Sequence, residues 1–382
     1  MFFSVDAHAI GCRLTGNETY IRNLLHGLAR LDQHADFLAF VSVEGAENQV
    51  PARFSTCRVS RNPFLRLGRD LTRQLRRHKP DLLHVQYTAP LLCPVPVVVS
   101  VHDVSFLEHP GFFPQARALQ LRTTVARTVR RAARILTPSE FSRIAISRAY
   151  HIDPEQITVV PNAADTKFRP ISRSLAAARV YERLGIRTPF ILTVGDLQPR
   201  KNQTGLVEAF GSLIRSHPGL RHSLVLAGKQ NWKGSRVAET VRRAGIADRV
   251  HLTGFVNDED LVYLYNACEV FVFPSLYEGF GLPVLEAMAC GRAVACSHTS
   301  SLPEVADGAG IFFDPQSKES IARALRDLLI DPELRGRMER LGLQRSSDFS
   351  WESAARRTLE VYYQVAAGQR RAERARVAVP GR

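Results

Sequence analysis

The sequence has 382 residues, sets 51 Lys and Arg against 37 Asp and Glu for a formal net charge of +14, and is 45 % apolar. Its length suits two domains and its apolar share a globular protein, and the longest apolar run breaks well before the roughly 18 residues of a membrane span. Cys12, Cys57, Cys93, Cys268, Cys290 and Cys296 form no CxxC pair and have no histidine at metal-ligand spacing, which argues against zinc and predicts reduced, mostly buried thiols.

The start, MFFSVDAHAIG, reads as a strand, Phe2–Val5, with no basic leader or cleavage site, so a cytoplasmic protein is expected. A loop from Asp6 to Gly16 holds Gly11 and Gly16. A helix follows from about Asn17, with Tyr20, Leu24, Leu25 and Leu28 on its apolar face. Strand, glycine loop and helix is the layout of a phosphate cradle, although there is no GxGxxG and a plain tight turn fits as well. Further strands are predicted at Phe37–Val43, Leu82–Val85 and Val95–His102. The run VPVVVSVHD is of the fully buried kind and ends in His102 and Asp103, at a carboxyl edge where α/β proteins place ligands. A histidine there is also a common hydrogen-bonded structural residue.

Two stretches of this half are unusually basic. Residues 61–79 hold seven Arg or Lys against one Asp, and residues 116–134 hold six Arg and no acid. Charge runs are ordinarily solvated helix faces, and the lack of acids also makes the second a candidate for anionic lipid headgroups. A strand at Ile135–Pro138 leads to a helix near Ser139, where Ser139 and Glu140 are candidates to approach a ligand and Ser139 equally a helix N-cap. Pro161, Asn162 and Pro170 are turn residues, and the domain boundary is placed at about residue 168.

The second half repeats the alternation. Strand Phe190–Val194 is followed by GDLQPRKN, where Arg200 and Lys201 stand side by side ahead of a helix from Thr204 to Ile214. Adjacent cations in a Gly–Pro loop before a helix amino end suit a diphosphate. Strands Leu224–Ala227 and Val250–Leu252 lead to Gly228 and Lys229, and to Gly254, Phe255 and Val256, with DEDLVYLYNA as an amphipathic helix after them. The stretch FVFPSLYEGFGLPVLEAMACG carries the strongest signal: a buried strand end, a loop with Gly279 and Gly281 that admits close backbone approach, and a helix opened by Pro283. That helix is apolar all round except at Glu286. A buried carboxylate costs several kcal/mol unless something polar meets it, though one in a first turn also answers the helix dipole. Ala293–Ser297 is another strand, a helix starts near Glu319, and Trp351–Tyr363 is the last helix. After Gly368 the basic sequence loses apolar periodicity and reads as a disordered tail.

EGFGLPVLE, with Glu278 and Glu286, resembles the paired-glutamate motif of retaining glycosyltransferases of family 4 with the GT-B fold. RKN, SVHDVSFLEHPGFFP, RLTGNETY and the PNxxD turn at Pro161 extend that resemblance over nearly the whole chain. Relatives often read TGIGRYT where this chain has Glu18 or its neighbours at the second glycine.

The resemblance implies an α/β GT-B fold of two Rossmann-like doubly wound domains facing a cleft. Residues 1–168 would form the acceptor side, 169–350 the nucleotide-sugar side, 351–366 a helix crossing back and 367–382 the tail. It implies that Glu278 lies by the donor sugar, that Glu286 holds the ribose hydroxyls, that Arg200 and Lys201 bind the diphosphate, and that His102 faces the sugar. Gly195, Gly228, Phe255, Val256, Gly279, Phe280, Gly281, Leu282 and Gly16 would line the donor. The implied enzyme passes a sugar, with mannose from GDP-mannose as the specific expectation, to a glycan or lipid-linked acceptor in surface polysaccharide assembly. It would use no metal or cofactor and no specific nucleic acid, and could sit on the inner face of the cytoplasmic membrane through the basic helices. A UDP-sugar donor, a GT-B nucleotide-sugar epimerase and a basic nucleic-acid-binding protein stand as alternatives. The epimerase would want more acids and histidines around the site, and the nucleic-acid binder exposed aromatics among the basic residues.

Overall fold

The computed structural model of the chain describes residues 1–12, 15–31, 33–230 and 235–377. It divides into two compact units, Met1–Asn162 with the chain from Ser350 onward, and Ala163–Phe349.

The first unit is wound on seven parallel strands: β1 (Phe2–Asp6), β2 (Asp36–Val41), β3 (Phe54–Arg58), β4 (Leu82–Gln86), β5 (Val97–Ser100), β6 (Arg134–Thr137) and β7 (Ile157–Val159), in the order β3-β2-β1-β4-β5-β6-β7. Val5 of β1 registers with Ala39 on one side and His84 on the other. The central strands are buried on both faces, which is why they read as unbroken apolar runs. The helices Thr15–Leu31 and Trp351–Val377 pack closely, because Gly27 has no side chain; a Cβ there would lie 2.6 Å from that of Ala355.

The second unit carries six parallel strands: β8 (Phe190–Val194), β9 (Ser223–Ala227), β10 (Val250–Gly254), β11 (Val270–Phe273), β12 (Ala293–Ser297) and β13 (Ile311–Phe313), in the order β10-β9-β8-β11-β12-β13. Counted within the unit this is the doubly wound order 3-2-1-4-5-6, and the first six strands of the other sheet follow it too. Strand order reverses between β1 and β4, and again between β8 and β11. Outside the carboxyl ends at such a reversal, the flanking loops diverge and leave a crevice.

Several elements differ from the sequence expectation. β3 was not foreseen: it is an edge strand with one buried side chain, Phe54, and so shows no apolar run. The short β7 and the helices Arg173–Leu184, Ser235–Ala244 and Pro332–Ser347 were also missed. The last helix does not stop near residue 366 but continues to Val377. Residues after Gly368 lose a packing face, yet Gln, Arg, Ala and Glu remain good helix formers. The remainder of the expected tail, 378–382, lies outside the described residues. The units divide at Asn162/Ala163 rather than near residue 168. Phe168 already belongs to the second core, its ring meeting that of Tyr265 edge-on at 5.5 Å.

Candidate active site

Three neighbouring strands of the second sheet, β8, β9 and β10, lead into Gly195, Gly228 and Gly254, with φ of 147°, 159° and 70°. Gly228 has no substitute, since a Cβ would fall 2.1 Å from Gly195 O. Gly195 N–H donates to Ala227 O at 2.8 Å and Gly228 N–H to Gly254 O at 2.9 Å, so three strand ends form one flat main-chain edge. At its outer end Phe255 is half exposed under the Lys229 ammonium, 5.2 Å from the ring centre, while Val256 turns into the core.

Across the reversal, the loop after β8 meets the loop after β11. Pro199–Lys201 is a 3-10 turn. Lys201 Nζ lies 2.6 Å from Glu278 Oε1, and Arg200 Nη1 lies 2.9 Å from Glu278 Oε2 and donates to Tyr277 O at 2.7 Å. Leu276 N–H donates to Arg200 O at 2.8 Å, which joins the two loops through the main chain. The Lys201 ammonium also sits 4.7 Å over the Phe273 ring. Glu278 is 7 % exposed. Burial alone would raise its pKa, but Arg200 and then Lys201 outweigh that and hold it at about 2. For Lys201, burial pulls the pKa down and Glu278 opposes it. The trio is therefore a buried carboxylate with two cations, one formal positive charge in excess.

Gly281, at φ 108°, caps the helix Leu282–Ala289 without a side chain, so its amino end has only main chain in front of it. A Cβ on Gly281 would strike Leu302 Cδ2 at 2.6 Å. The Gly279–Gly281 loop is held from behind by Ser301, whose hydroxyl donates to Glu278 O at 2.9 Å and Phe280 O at 3.0 Å, and Glu278 N–H donates to Ser300 Oγ at 2.9 Å. Phe280 departs from its expected place: its ring is buried edge-on against Phe349 at 5.7 Å, so a ligand in this loop would meet its main chain. Glu286, 8 % exposed on the next turn of the helix, accepts the Tyr265 hydroxyl at Oε2 at 2.7 Å. Burial raises its pKa to about 7 against the pull of that hydrogen bond.

His102 and Gly16 belong to the first unit. His102 follows β5, its Nε2 2.9 Å from Gln86 Oε1 at the end of β4. Gln86 Nε2 donates to Asn17 O at 3.3 Å, which orients the amide and makes His102 Nε2 the protonated nitrogen and Nδ1 an acceptor. The ring lies between Tyr20 (4.6 Å) and Tyr87 (5.6 Å), and burial lowers its pKa to about 4, leaving the imidazole neutral at pH 7. Tyr87 holds φ 60°, a conformation a bulky residue adopts at a cost of ~1 kcal/mol or more. Gly16 stands on an exposed helical turn where a Cβ would meet nothing within 4 Å, and no close approach explains it. The amide expected to help form a cradle, Gly11 N–H, donates to Glu18 Oε1 at 2.9 Å. Arg13 and Leu14 of that loop lie outside the described residues. Ser139 is the N-cap, accepting Ser142 N–H at 3.1 Å, and Glu140 is engaged by Arg143 on its own helix.

Tyr265, Ser300 and Ser301 were not singled out from sequence. The doublet SSLPE gave a hint for the serines, and Tyr265 is one of two tyrosines in its helix. Among the described residues, no cluster of three or more His, Cys, Asp or Glu is placed to hold a metal, and no helix is long and apolar enough to cross a membrane.

Residues 182–345 match the family described as glycosyl transferases group 1, and residues 14–168 match Glycosyltransferase Family 4. The chain is 34 % identical to O-antigen chain mannosyltransferase B of Escherichia coli over 69 % of each protein. It is 33 % identical to the serotype-specific mannosyltransferase WbdA of Escherichia coli over 60 % of its own length, a region that spans 28 % of WbdA. Among solved structures, the sucrose-phosphate synthase of Thermosynechococcus elongatus superposes with a TM-score of 0.78 at 21 % identity, covering 96 % of this chain and 99 % of that one.

Proposed function

The chain belongs to the group 1, family 4 glycosyltransferases and has their GT-B fold, and from that premise we propose that it is a retaining mannosyltransferase using GDP-mannose. The acceptor is a hydroxyl of a glycan or lipid-linked saccharide in surface polysaccharide assembly. The observation that carries the reading is the Arg200–Lys201–Glu278 cluster at the strand reversal of the second sheet, beside the amino end of the Leu282–Ala289 helix. When the bond from the sugar's anomeric carbon to the diphosphate breaks, the electron pair leaves on a phosphate oxygen. Arg200, Lys201 and the main chain at Gly281–Leu282 offset the charge that develops there, with no metal needed. Glu278, held ionised, faces the oxocarbenium-like charge on the sugar. The acceptor oxygen attacks from the face the diphosphate leaves, and its proton passes to the departing phosphate oxygen. Glu286 receives the ribose hydroxyls, and His102 receives a sugar hydroxyl at Nδ1.

Two relatives named as mannosyltransferases support the choice of sugar. Calorimetry of the purified chain against GDP-mannose, UDP-glucose, UDP-N-acetylglucosamine and the free nucleotides, with and without EDTA, tests it. Metal-independent preference for GDP-mannose is expected. Preference for a UDP sugar would overturn the mannose assignment and keep the cluster's role, whereas loss of binding in EDTA would overturn the metal-free mechanism.

A further inference from the structure

In the first unit, apolar side chains stand exposed on three segments that hydrogen bonds tie together. Asn62 caps the short helix Pro63–Leu65, its Oδ1 accepting Phe64 N–H at 2.9 Å, and this turn presents Phe64 and Leu65, 78 % and 57 % exposed. Leu91 N–H donates to Leu67 O at 3.0 Å, which sets the loop with Leu91 and Leu92, 57 % and 67 % exposed, beside that turn. Arg127 donates to Ala89 O at 2.8 Å and Leu91 O at 3.0 Å, fixing the helix Gln115–Arg131 to the same loop. Leu119, 62 % exposed, stands about two turns earlier on that helix. A single exposed leucine needs no explanation; five large apolar side chains on adjoining segments form a patch.

The charge around this patch has one sign. Arg69, Arg73 and Arg76 are exposed after the Phe64 turn, and Arg117, Arg122 and Arg130 on the Leu119 helix. Asp70, the one acid among residues 61–79, accepts Ser60 N–H at 2.9 Å, and the Gln115–Arg131 helix has no acid. Arg66 differs from its neighbours. It is buried, with Nε 3.9 Å from Asp6 at the end of β1, so the patch adjoins the carboxyl edge of the first sheet. Exposed leucines and a phenylalanine among unpaired-sign arginines match the boundary between lipid headgroups and acyl chains. Base stacking would want more than the single exposed ring of Phe64.

We infer that this patch docks on an anionic lipid bilayer. Phe64, Leu65, Leu91, Leu92 and Leu119 enter the headgroup region, and the surrounding arginines meet lipid phosphates. The inference does not depend on which donor sugar the enzyme uses.

Co-sedimentation of the full chain with phosphatidylcholine vesicles, with and without phosphatidylglycerol, tests it. The wild type should bind the mixed vesicles and not the neutral ones. Phe64→Ser with Leu92→Ser, and separately Arg73→Glu with Arg122→Glu, should each weaken binding by roughly tenfold or more. Arg370→Glu with Arg371→Glu, in the basic last helix, should leave binding unchanged. Unaltered thermal unfolding of each variant confirms that a loss is local. Failure to bind mixed vesicles, full binding by the Phe64/Leu92 variant, or loss confined to the Arg370/Arg371 variant would each overturn the inference.

Discussion

At the strand reversal of the second sheet a buried carboxylate lies within 2.9 Å of two cations, whereas beside that of the first sheet two imidazoles, His84 and His102, are held neutral among hydroxyls and an amide. Burial lowers the pKa of His84 to about 3 and that of His102 to about 4, so neither adds positive charge at pH 7. The winding of the two sheets is the same, so winding cannot be what selects the ligand. It fixes where a crevice opens, and the residues at the strand ends decide what charge the crevice accepts. The cationic edge suits a diphosphate. The neutral edge suits a ligand made of hydroxyls.

The strongest attempt to break this contrast removes the cations. Arg200→Ala with Lys201→Ala should lower kcat/KM for transfer by about 10²–10³-fold, the scale of losing charge stabilisation in a transition state. A loss below tenfold would mean that the second sheet's edge does not carry the leaving group.

The pH dependence of stability sharpens it, because the two glutamates of the cationic edge act in opposite directions. Glu278 has its pKa lowered from 4.5 to about 2, so its contribution is full above pH 4.5, about 3 kcal/mol, and is lost as pH falls towards 2. Glu286 has its pKa raised from 4.5 to about 7. The protonated form fits the fold, so its contribution is present below pH 4.5 and is lost as pH rises through 7. In urea unfolding at pH 5 and pH 8, Glu278→Gln should be destabilised at both, and Glu286→Gln should gain on the wild type at pH 8. If Glu286→Gln instead tracks the wild type at both values, the carboxyl is not desolvated as described.

The smallest effect belongs to the neutral edge. His102→Gln should lower kcat/KM by roughly tenfold, the loss of one hydrogen bond in the reacting complex. It should leave the pH–rate profile between 5.5 and 8 in place, because the imidazole titrates near 4. A displaced limb in that range would show His102 working as a charged group and would dissolve the contrast.

Much of the cationic edge was legible because its parts lie in local patterns: a strand end, a Gly–Pro loop carrying Arg200 and Lys201, and a glycine loop before an apolar helix interrupted by Glu286. The supports were not legible, since they come from elsewhere in the chain. Ser300 and Ser301 hold the Glu278 loop from 22 and 23 residues away, and Tyr265 reaches Glu286 from 21. Glycines divide the same way. Gly228 follows a strand, which sequence shows, but it is glycine because the neighbouring Gly195 carbonyl occupies the place of a side chain. Gly16 looked equivalent and stands in open space. On the neutral edge, His102 was visible at the end of a β-branched run, while Gln86, Tyr87 and Tyr20 became its neighbours only through the pairing of β4 with β5 and the helix laid over them.

His84 Nδ1 is 2.5 Å from the Tyr362 hydroxyl, and its Nε2 is 2.8 Å from Ser100 Oγ, which meets the Tyr20 hydroxyl at 2.7 Å. This buried chain of four side chains is closed by a residue 278 positions downstream of His84, on the helix whose backbone fills the space left by Gly27. On the ribosome, at ~5–20 residues per second, the strands of the first unit therefore wait on the order of tens of seconds before the piece that seals them emerges. The second unit, continuous in sequence, has its whole complement of strands and helices by then. The later half of the nascent enzyme can thus mature first, and a message truncated before residue 350 leaves the earlier half with an open seam for chaperones and proteases.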